Sequence, residues 1–324
     1  MSETKDVIVI GGGPAGLSAA IYLGRAKLDT LLLAGEEAGG QLMLTTDVEN
    51  YPGFSEGVQG PELMEEMRKQ AERFGAEIVN KDVEEMEVSG EVKVVKVRGE
   101  EYKTKTLIVT TGAKARMLEI GEEDFLGKGV STCAVCDAAF FKGKKTFVVG
   151  GGDAAMEDAL ALKKHADEVT IIHRRDKLRA SKIMEERVLE EASIPVMWNS
   201  EVVDVEGENK LEKIKVVNKE SGDEEWIEAD GLFLAIGHLP ATDFIGDKLE
   251  RDNHGYLVTR MVKDGIKQKK EWLEGYPTQT NVEGVFGAGD VVDFRYRQAV
   301  TAVGQGVMAA LDVEKFLTGE TSGW

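Results

Sequence analysis

Val7-Ile8-Val9-Ile10-Gly11-Gly12-Gly13-Pro14-Ala15-Gly16 decides the fold of this 324-residue chain. Four consecutive β-branched residues read as a parallel strand buried on both faces. The glycines follow at once as G-x-G-x-x-G, and Leu17-Ser18-Ala19-Ala20-Ile21-Tyr22-Leu23 continues at helical spacing. The order strand, glycine turn, helix gives the motif its meaning. Gly11 permits the tight turn, Gly13 lets a pyrophosphate approach the backbone, and Gly16 lets helix and strand pack closely. The helix N-terminus then faces the phosphates, so a dinucleotide site is expected here. The acid that usually ends the second strand is missing: Asp29 to Ala34 runs into Gly35, with Glu36 and Glu37 beyond.

The same grammar returns in the second half of the chain. Thr146-Phe147-Val148-Val149 leads into Gly150-Gly151-Gly152-Asp153-Ala154-Ala155 and a helix from Met156 to Lys164, a G-x-G-x-x-A fingerprint. Its second strand, Val169 to His173, ends in Arg174 and Arg175, with Arg179 one helical turn on. Guanidinium groups where an NAD-binder places a carboxylate suit a 2′-phosphate, so the second site is expected to take NADPH. Each unit closes on a strand ending in glycine, Leu107 to Gly112 and Gly231 to Gly237. Between the two glycine loops, Glu62 to Phe74 is amphipathic helix, and residues 76–106 alternate as a β-meander. The linkers between units are read at Ala113–Arg116 and Ala241–Lys248. After the second linker, Val285-Phe286-Gly287-Ala288-Gly289-Asp290 is a strand ending in an acid suited to a ribityl hydroxyl. Arg297-Gln298-Ala299 then opens a small-residue helix, so the C-terminal segment should rejoin the first unit and complete an FAD site.

The only two cysteines lie in Ser131-Thr132-Cys133-Ala134-Val135-Cys136-Asp137, spaced C-x-x-C and followed by an acid. A helix starting at Cys133 would lower the thiol pKa, and Asp137 could carry the proton that dithiol chemistry gains and loses. The other readings are two buried cysteines or half of a structural zinc site. A closed zinc site needs four ligands, and the chain offers no second cysteine pair, only four scattered histidines. No metal is therefore assigned. A net charge of −19 argues against nucleic acid and anionic membrane as partners. No apolar run approaches the ~18 residues of a membrane span, and the polar start Met1 to Asp6 does not read as a secretory signal. A cytoplasmic enzyme with a redox-active cysteine pair is the expectation.

The ordered set of motifs resembles the low-molecular-weight, bacterial/archaeal-type NADPH–thioredoxin reductases over nearly the whole length. It comprises both glycine loops, Gly39-Gly40-Gln41-Leu42, Glu49-Asn50-Tyr51-Pro52-Gly53 and Cys133-Ala134-Val135-Cys136-Asp137. It continues through His173-Arg174-Arg175 with Arg179, Ala235-Ile236-Gly237-His238, and Gly287-Ala288-Gly289-Asp290 with Arg297-Gln298-Ala299. The resemblance implies an α/β fold of two Rossmann-like, three-layer ββα domains, the NADPH domain inserted in a discontinuous FAD domain. Expected boundaries are 1–115 with 247–324 for FAD and 116–246 for NADPH. FAD is expected at Gly11, Gly13, Pro14, Ala15, Gly16, Gly40, Gln41, Asn50, Thr111, Gly112, Gly289, Asp290, Arg297, Gln298 and Ala299. NADPH is expected at Gly150, Gly152, Asp153, Ala154, Ala155, His173, Arg174, Arg175, Arg179, Ile236 and Gly237.

Electrons would pass from NADPH through FAD to Cys133–Cys136 and on to oxidised thioredoxin or a thioredoxin-like disulfide protein, in a homodimer whose NADPH domain rotates. Cys136 would face the flavin, Cys133 would attack the substrate disulfide, and Asp137 would serve as acid and base. The alternative acceptor is a glutaredoxin-like protein disulfide oxidoreductase or a peroxidase module. A third reading is a flavin-bound protein whose C-x-x-C is structural or sensing, which a colourless protein or unoxidisable thiols would favour. The chain departs from the family pattern at three places. Val135 replaces a threonine, Asp153-Ala154-Ala155 replaces N-T-A, with Asp153 either a carboxylate near the pyrophosphate that weakens cofactor binding or a helix cap, and a basic stretch at 261–276 with Trp272 and Tyr276 is longer than usual. That stretch reads either as a surface insertion or as a docking or dimer contact.

Overall fold

The computed structural model describes residues 4–36, 38–44, 47–48, 50–261 and 275–319, without the side chains of Leu44, Asp47 and Glu191. Glu37, Glu49 and all of the 261–276 stretch except Met261, Gly275 and Tyr276 lie outside the described residues. The chain divides into two compact units, Met1–Lys114 with Leu239–Trp324, and Ala115–His238.

The first unit opens with β1 (Lys5–Ile10), α1 (Pro14–Arg25) and β2 (Thr30–Leu33). A short hairpin of β3 (Asp47–Val48) and β4 (Val58–Gln59) leads into α2 (Gly60–Arg73), then β5 (Glu77–Val79), β6 (Glu85–Glu87), β7 (Lys93–Val97) and β8 (Glu100–Val109). The parallel core runs β5-β2-β1-β8, with Ile8 opposite both Leu31 and Leu107. Two details differ from the expected 76–106 meander. β5 belongs to the parallel sheet, paired with β2, and only β6 to β8 form the antiparallel meander. The meander's last strand and the buried strand through Leu107 are also one ten-residue element. Its largely exposed first half pairs with β7, and its second half, buried from Thr106 to Val109, pairs with β1. Successive side chains point to opposite faces. Val7, Val9, Leu32 and Ile108 therefore pack under the helices, and Ile8, Ile10, Leu31, Leu33, Leu107 and Val109 pack under Met86, Val95 and Val97 of the meander. That is the three-layer ββα arrangement.

The chain leaves this unit in β9 (Ala113–Ala115), and the inserted unit repeats the plan. Its elements are β10 (Val130–Ser131), α3 (Ala134–Asp137), β11 (Lys145–Gly150), α4 (Asp153–Lys163), β12 (Glu168–Ile172), α5 (Lys182–Glu186) and β13 (Val196–Met197). β14 (Ser200–Glu206), β15 (Lys213–Asn218) and β16 (Glu224–Glu228) then form an antiparallel layer before β17 (Gly231–Ala235). The parallel order is β10-β17-β11-β12-β13. Val148, Ile171 and Phe233 pack toward α4, while Phe147, Val149 and Leu232 pack toward the antiparallel layer. Early in this unit Glu122 is completely buried, and its carboxylate accepts backbone N–H bonds from Leu118, Glu119 (3.2 Å) and Ile120 (2.9 Å). Glu119 sits at φ 62°, a left-handed conformation that this wrapping holds in place.

The chain returns through β18 (His238–Pro240), earlier than the expected 247. Residues 241–248, read as a linker, belong instead to the first unit, with Thr242 and Ile245 buried in it. Thr111 Oγ1 donates to Ala241 O (2.7 Å), Ala241 N donates to Gly112 O (3.0 Å), and Ile245 and Leu249 are buried beside Val109. β19 (Val285–Gly287) then extends the parallel sheet, with Phe286 opposite Ile108, and α6 (Ala299–Thr318) lies along α1. Glycine permits that contact: a Cβ at Gly306 would stand 2.1 Å from Ala15 O. Tyr276 packs edge-on against Phe286 and Phe316 at 6.2 and 5.7 Å, so its ring belongs to the core.

Candidate functional site

In the first unit the glycine loop joins β1 to α1, whose first position is Pro14. Gly11 has φ 113°, and a Cβ at Gly16 would meet Gly11 O at 1.8 Å, so backbone lies directly on backbone. A Cβ at Gly13 would meet nothing within 4 Å, which leaves its backbone open to a large group. Around this opening the fold gathers the other residues singled out by motif. A Cβ on Gly40 would reach 3.6 Å from Gly13 Cα, and Gln41 Nε2 donates to Ala113 O. A Cβ on Gly289 would sit 2.8 Å from the Ala15 Cβ, so Asp290 is held beside the start of α1. Asn50 Nδ2 donates to Gln298 Oε1 (3.3 Å), and Gln298 and Thr301 form a reciprocal cap on α6, which begins at Ala299. Thr111 and Gly112 are fixed by the bonds to Ala241 described above.

Asp290 carries the signature of a ligand position. Its Oδ1 is sealed from solvent and has no hydrogen-bond partner among the described residues. Burial, then the neighbouring Asp293 carboxylate, push its pKa up to about 7, against the pull of Arg297. Buried acceptors are rarely left unpaired, because the desolvation cost is not recovered. Asp293 is a residue the sequence reading missed. It takes N–H bonds from Arg295 and Tyr296 (both 2.8 Å) and Arg297 (3.4 Å), shaping the loop before Gln298 and holding Arg297 at φ 49°.

The inserted unit presents a second cradle. At Gly150 a Cβ would meet Ala155 Cβ at 2.7 Å, and at Gly152 it would meet nothing within 4 Å. His173 is buried with its ring against Gly151, and Nε2 lies 2.9 Å from Lys177 O. Burial first, then the charges of Arg179 and Arg175, lower its pKa. Arg174, Arg175 and Arg179 are exposed and form no ion pair among the described residues. Asp153 does not cap α4 through its side chain: the N-cap is Gly152, and Asp153 Oδ1 accepts Ser181 N–H at 2.6 Å. With Arg179 N–H donated to Gly151 O (2.6 Å), that bond pins the arginine loop to the glycine turn. Ile236 and Gly237 follow β17, with Gly237 at φ 108° and its carbonyl accepting Arg116 N–H (2.9 Å).

Cys133 and Cys136 are joined as a disulfide with Cα atoms 5.3 Å apart. The helix starts at the expected place, with Cys133 as N-cap of α3, but it is four residues long. One turn aligns few peptide dipoles, so the field at the sulfur is weaker than a full helix would give. Asp137 closes the turn through its N–H to Cys133 O (3.2 Å). Burial raises its carboxyl pKa, while a hydrogen bond with Ser131 works the other way. A proton-holding acid one residue from a disulfide can serve thiol–disulfide exchange. No group of three or more His, Cys, Asp or Glu among the described residues could hold a metal ion.

Comparison with known proteins places this geometry. The family model described as pyridine nucleotide-disulphide oxidoreductase matches residues 5–306. A thioredoxin reductase of Streptomyces coelicolor is 49% identical over 320 residues, covering 98% of this chain and 95% of the relative. A bifunctional thioredoxin reductase/thioredoxin of Mycobacterium leprae is 45% identical over 314 residues, covering 96% of this chain and 66% of that protein. The solved thioredoxin reductase from Giardia duodenalis aligns with a TM-score of 0.87 and 40% identity, over 98% of this chain and 100% of that one.

Proposed function

The chain belongs to the pyridine nucleotide-disulphide oxidoreductase family, among its thioredoxin reductases, and from that premise we propose that it reduces a thioredoxin disulfide with electrons from NADPH. The family uses a flavin and a pyridine nucleotide; FAD in the first unit and NADPH in the inserted unit are the specific pair proposed. The carrying observation is the Cys133–Cys136 disulfide, followed by Asp137, in the same unit as the arginine-tipped glycine loop. When bound, the cofactors supply two-electron chemistry, a hydride from reduced nicotinamide to flavin and an electron pair from flavin to a disulfide.

The chain's own residues do the rest. The open backbone at Gly13 and the α1 N-terminus receive a pyrophosphate, and Asp290 accepts a ribityl hydroxyl. Gly152 and α4 receive the second pyrophosphate, and Arg174, Arg175 and Arg179 pair with the 2′-phosphate. Cys136 accepts electrons as the disulfide opens. Cys133 then attacks the partner disulfide to give a mixed disulfide, Cys136 displaces the partner's second sulfur from it, and Asp137 gives its proton to that departing thiolate. Reduction of the enzyme disulfide takes up two electrons and two protons, and both pass to the partner as the bond re-forms. We place the protein in the cytoplasm as a homodimer. No described helix is long and apolar enough to cross a membrane, and the dimer rests on family likeness. A glutaredoxin-like or peroxidase acceptor is not favoured, since the relatives compared above are named for thioredoxin.

Two tests address the cofactors. Alanine at Arg174, Arg175 or Arg179 is expected to raise KM for NADPH roughly tenfold to a hundredfold, the worth of a lost charge-assisted bond, and to leave NADH unaffected. Equal losses for both nucleotides would contradict the 2′-phosphate assignment. FAD affinity of the apoprotein should strengthen between about pH 5 and 7, by up to about tenfold per unit, and level off above the Asp290 pKa of about 7. A hydroxyl donated to the carboxylate favours its ionised form, so binding releases a proton in that window. In the apoprotein the same raised pKa contributes stability that is present at low pH and lost as pH rises through about 7. Asp290→Asn should flatten the affinity profile; an unchanged slope would remove Asp290 from the site.

A further inference from the structure

We propose that Trp198 is the base-stacking residue of the inserted unit's nucleotide cradle, its indole taking one face of the adenine of the nicotinamide dinucleotide. The proposal rests on the reading of this cradle as the NADPH site. β11, β12 and β13 run parallel and side by side, and ligands of such sheets bind beyond the carboxyl ends of the strands. Each of the three ends carries its own group there. β11 ends in the glycine turn, β12 in His173, Arg174 and Arg175, and β13 in Trp198.

The register brings the last two ends together. Ile172 stands opposite Met197, so His173 and Trp198 follow as the next neighbours. Their rings meet edge to face with centroids 6.4 Å apart. The His173 ring also lies against Gly151, where a Cβ would fall 2.1 Å from Cε1. Glycine turn, imidazole and indole thus form one row along the carboxyl edge. Backbone bonds hold the row in place: His173 N–H donates to Met197 O (3.0 Å), Ser200 N–H to His173 O (3.0 Å) and Asn199 N–H to Arg175 O (3.2 Å). Asn199 adopts φ 52°, in the left-handed region, where the chain turns away.

Packing does not account for the indole. Val196 joins one hydrophobic cluster of the unit and Met197 the other, and Trp198 belongs to neither. It stays half-buried beside the exposed Arg174 and Arg175. His173, the other ring at this edge, is only 4% exposed, so the indole is the ring with surface to offer. In a 2′-phosphorylated nucleotide the phosphate and the base sit on adjacent carbons of one ribose. A phosphate held by the arginines therefore brings the base within a sugar's width of the tip of β12, where Trp198 stands. The arginines recognise the phosphate that NADH lacks, and the indole recognises the base that both nucleotides carry.

The test uses the oxidised holoenzyme as wild type, Trp198→Leu and Trp198→Phe, with the melting temperature of each recorded. Adenosine 2′,5′-bisphosphate and adenosine 5′-monophosphate are titrated by calorimetry and by tryptophan fluorescence, without turnover. Trp198→Leu should raise the Kd of both probes by a similar factor, roughly fivefold to a hundredfold, as expected for a lost stacked base. Trp198→Phe should bind within about threefold of wild type, because a phenyl ring still stacks. Wild-type indole emission should change on titration, and that change should be absent in both variants. Unchanged Kd values in Trp198→Leu, a loss confined to the bisphosphate, or an equal loss in Trp198→Phe overturns the proposal and leaves the cradle in place. Equal binding of the two probes by wild type, with both weakened in Trp198→Leu, supports Trp198 and rejects the 2′-phosphate reading. Binding of neither probe by wild type overturns both.

Discussion

Cys133→Ser is expected to lower thioredoxin-dependent NADPH oxidation by on the order of 10⁴–10⁶-fold, the upper end being the scale seen when a nucleophile is removed. Flavin bleaching by NADPH should persist, because neither nucleotide cradle contains the cysteine. A serine hydroxyl is almost wholly protonated at neutral pH and cannot form a disulfide, so both attack and bond re-formation are lost. Cys136→Ser should be equally inactive but for a different reason. Cys133 can still attack, and the mixed disulfide with thioredoxin cannot be resolved by its neighbour. A covalent adduct is therefore expected with Cys136→Ser and not with Cys133→Ser, read on a non-reducing gel and by mass. The opposite pattern would exchange the roles of the two sulfurs. Adducts with neither variant would remove the pair from the path to thioredoxin.

Glu122→Ala should destabilise the inserted unit by about 3–5 kcal/mol, because three backbone donors lose their acceptor at once. The wild-type carboxylate is completely buried and accepts three consecutive backbone N–H groups. Alanine leaves those donors without partners at a position water cannot easily reach, each costing about 1–3 kcal/mol. It also frees Glu119 from the left-handed conformation that the wrapping enforces. Glu122→Gln keeps one acceptor oxygen and turns an NH₂ toward the remaining donors, so its loss should be intermediate. Urea unfolding, with hydrogen exchange followed at residues 115–238, reports the change. A loss below about 1 kcal/mol for Glu122→Ala would mean that the three bonds are replaced by water at little cost.

The sequence carried the fold in its local constraints. Glycines between a buried β-branched run and a helix leave few alternatives, and their repetition announced two units of one plan. The arginines beyond β12 were legible because a strand end at that position has a known geometric relation to a bound ribose. Other features depended on tertiary context. β8 joins the antiparallel meander to the parallel strands within one sheet, and the hand-over at Thr104, which stands opposite both Lys5 and Lys93, leaves no break in the pattern. Residues 241–248 look like a polar connection, and only the fold shows that Ile245 is core. Asp153 sits where caps occur, yet its oxygen goes to Ser181, residues away in sequence. Asp293 and Glu122 bind backbone, and backbone partners have no sequence signature. Ser131 stood inside the most informative heptapeptide of the chain; its spacing to Cys133 was visible, and its hydroxyl's acceptance of the Cys133 N–H was not.

The measurement that bears most directly on the central claim is the stoichiometry of NADPH consumed to thioredoxin disulfide reduced by the wild-type holoenzyme. The account predicts one NADPH per disulfide, with turnover abolished in Cys133→Ser. Flavin that bleaches with NADPH while thioredoxin stays oxidised would contradict it, leaving the two nucleotide cradles in place and the electron acceptor elsewhere.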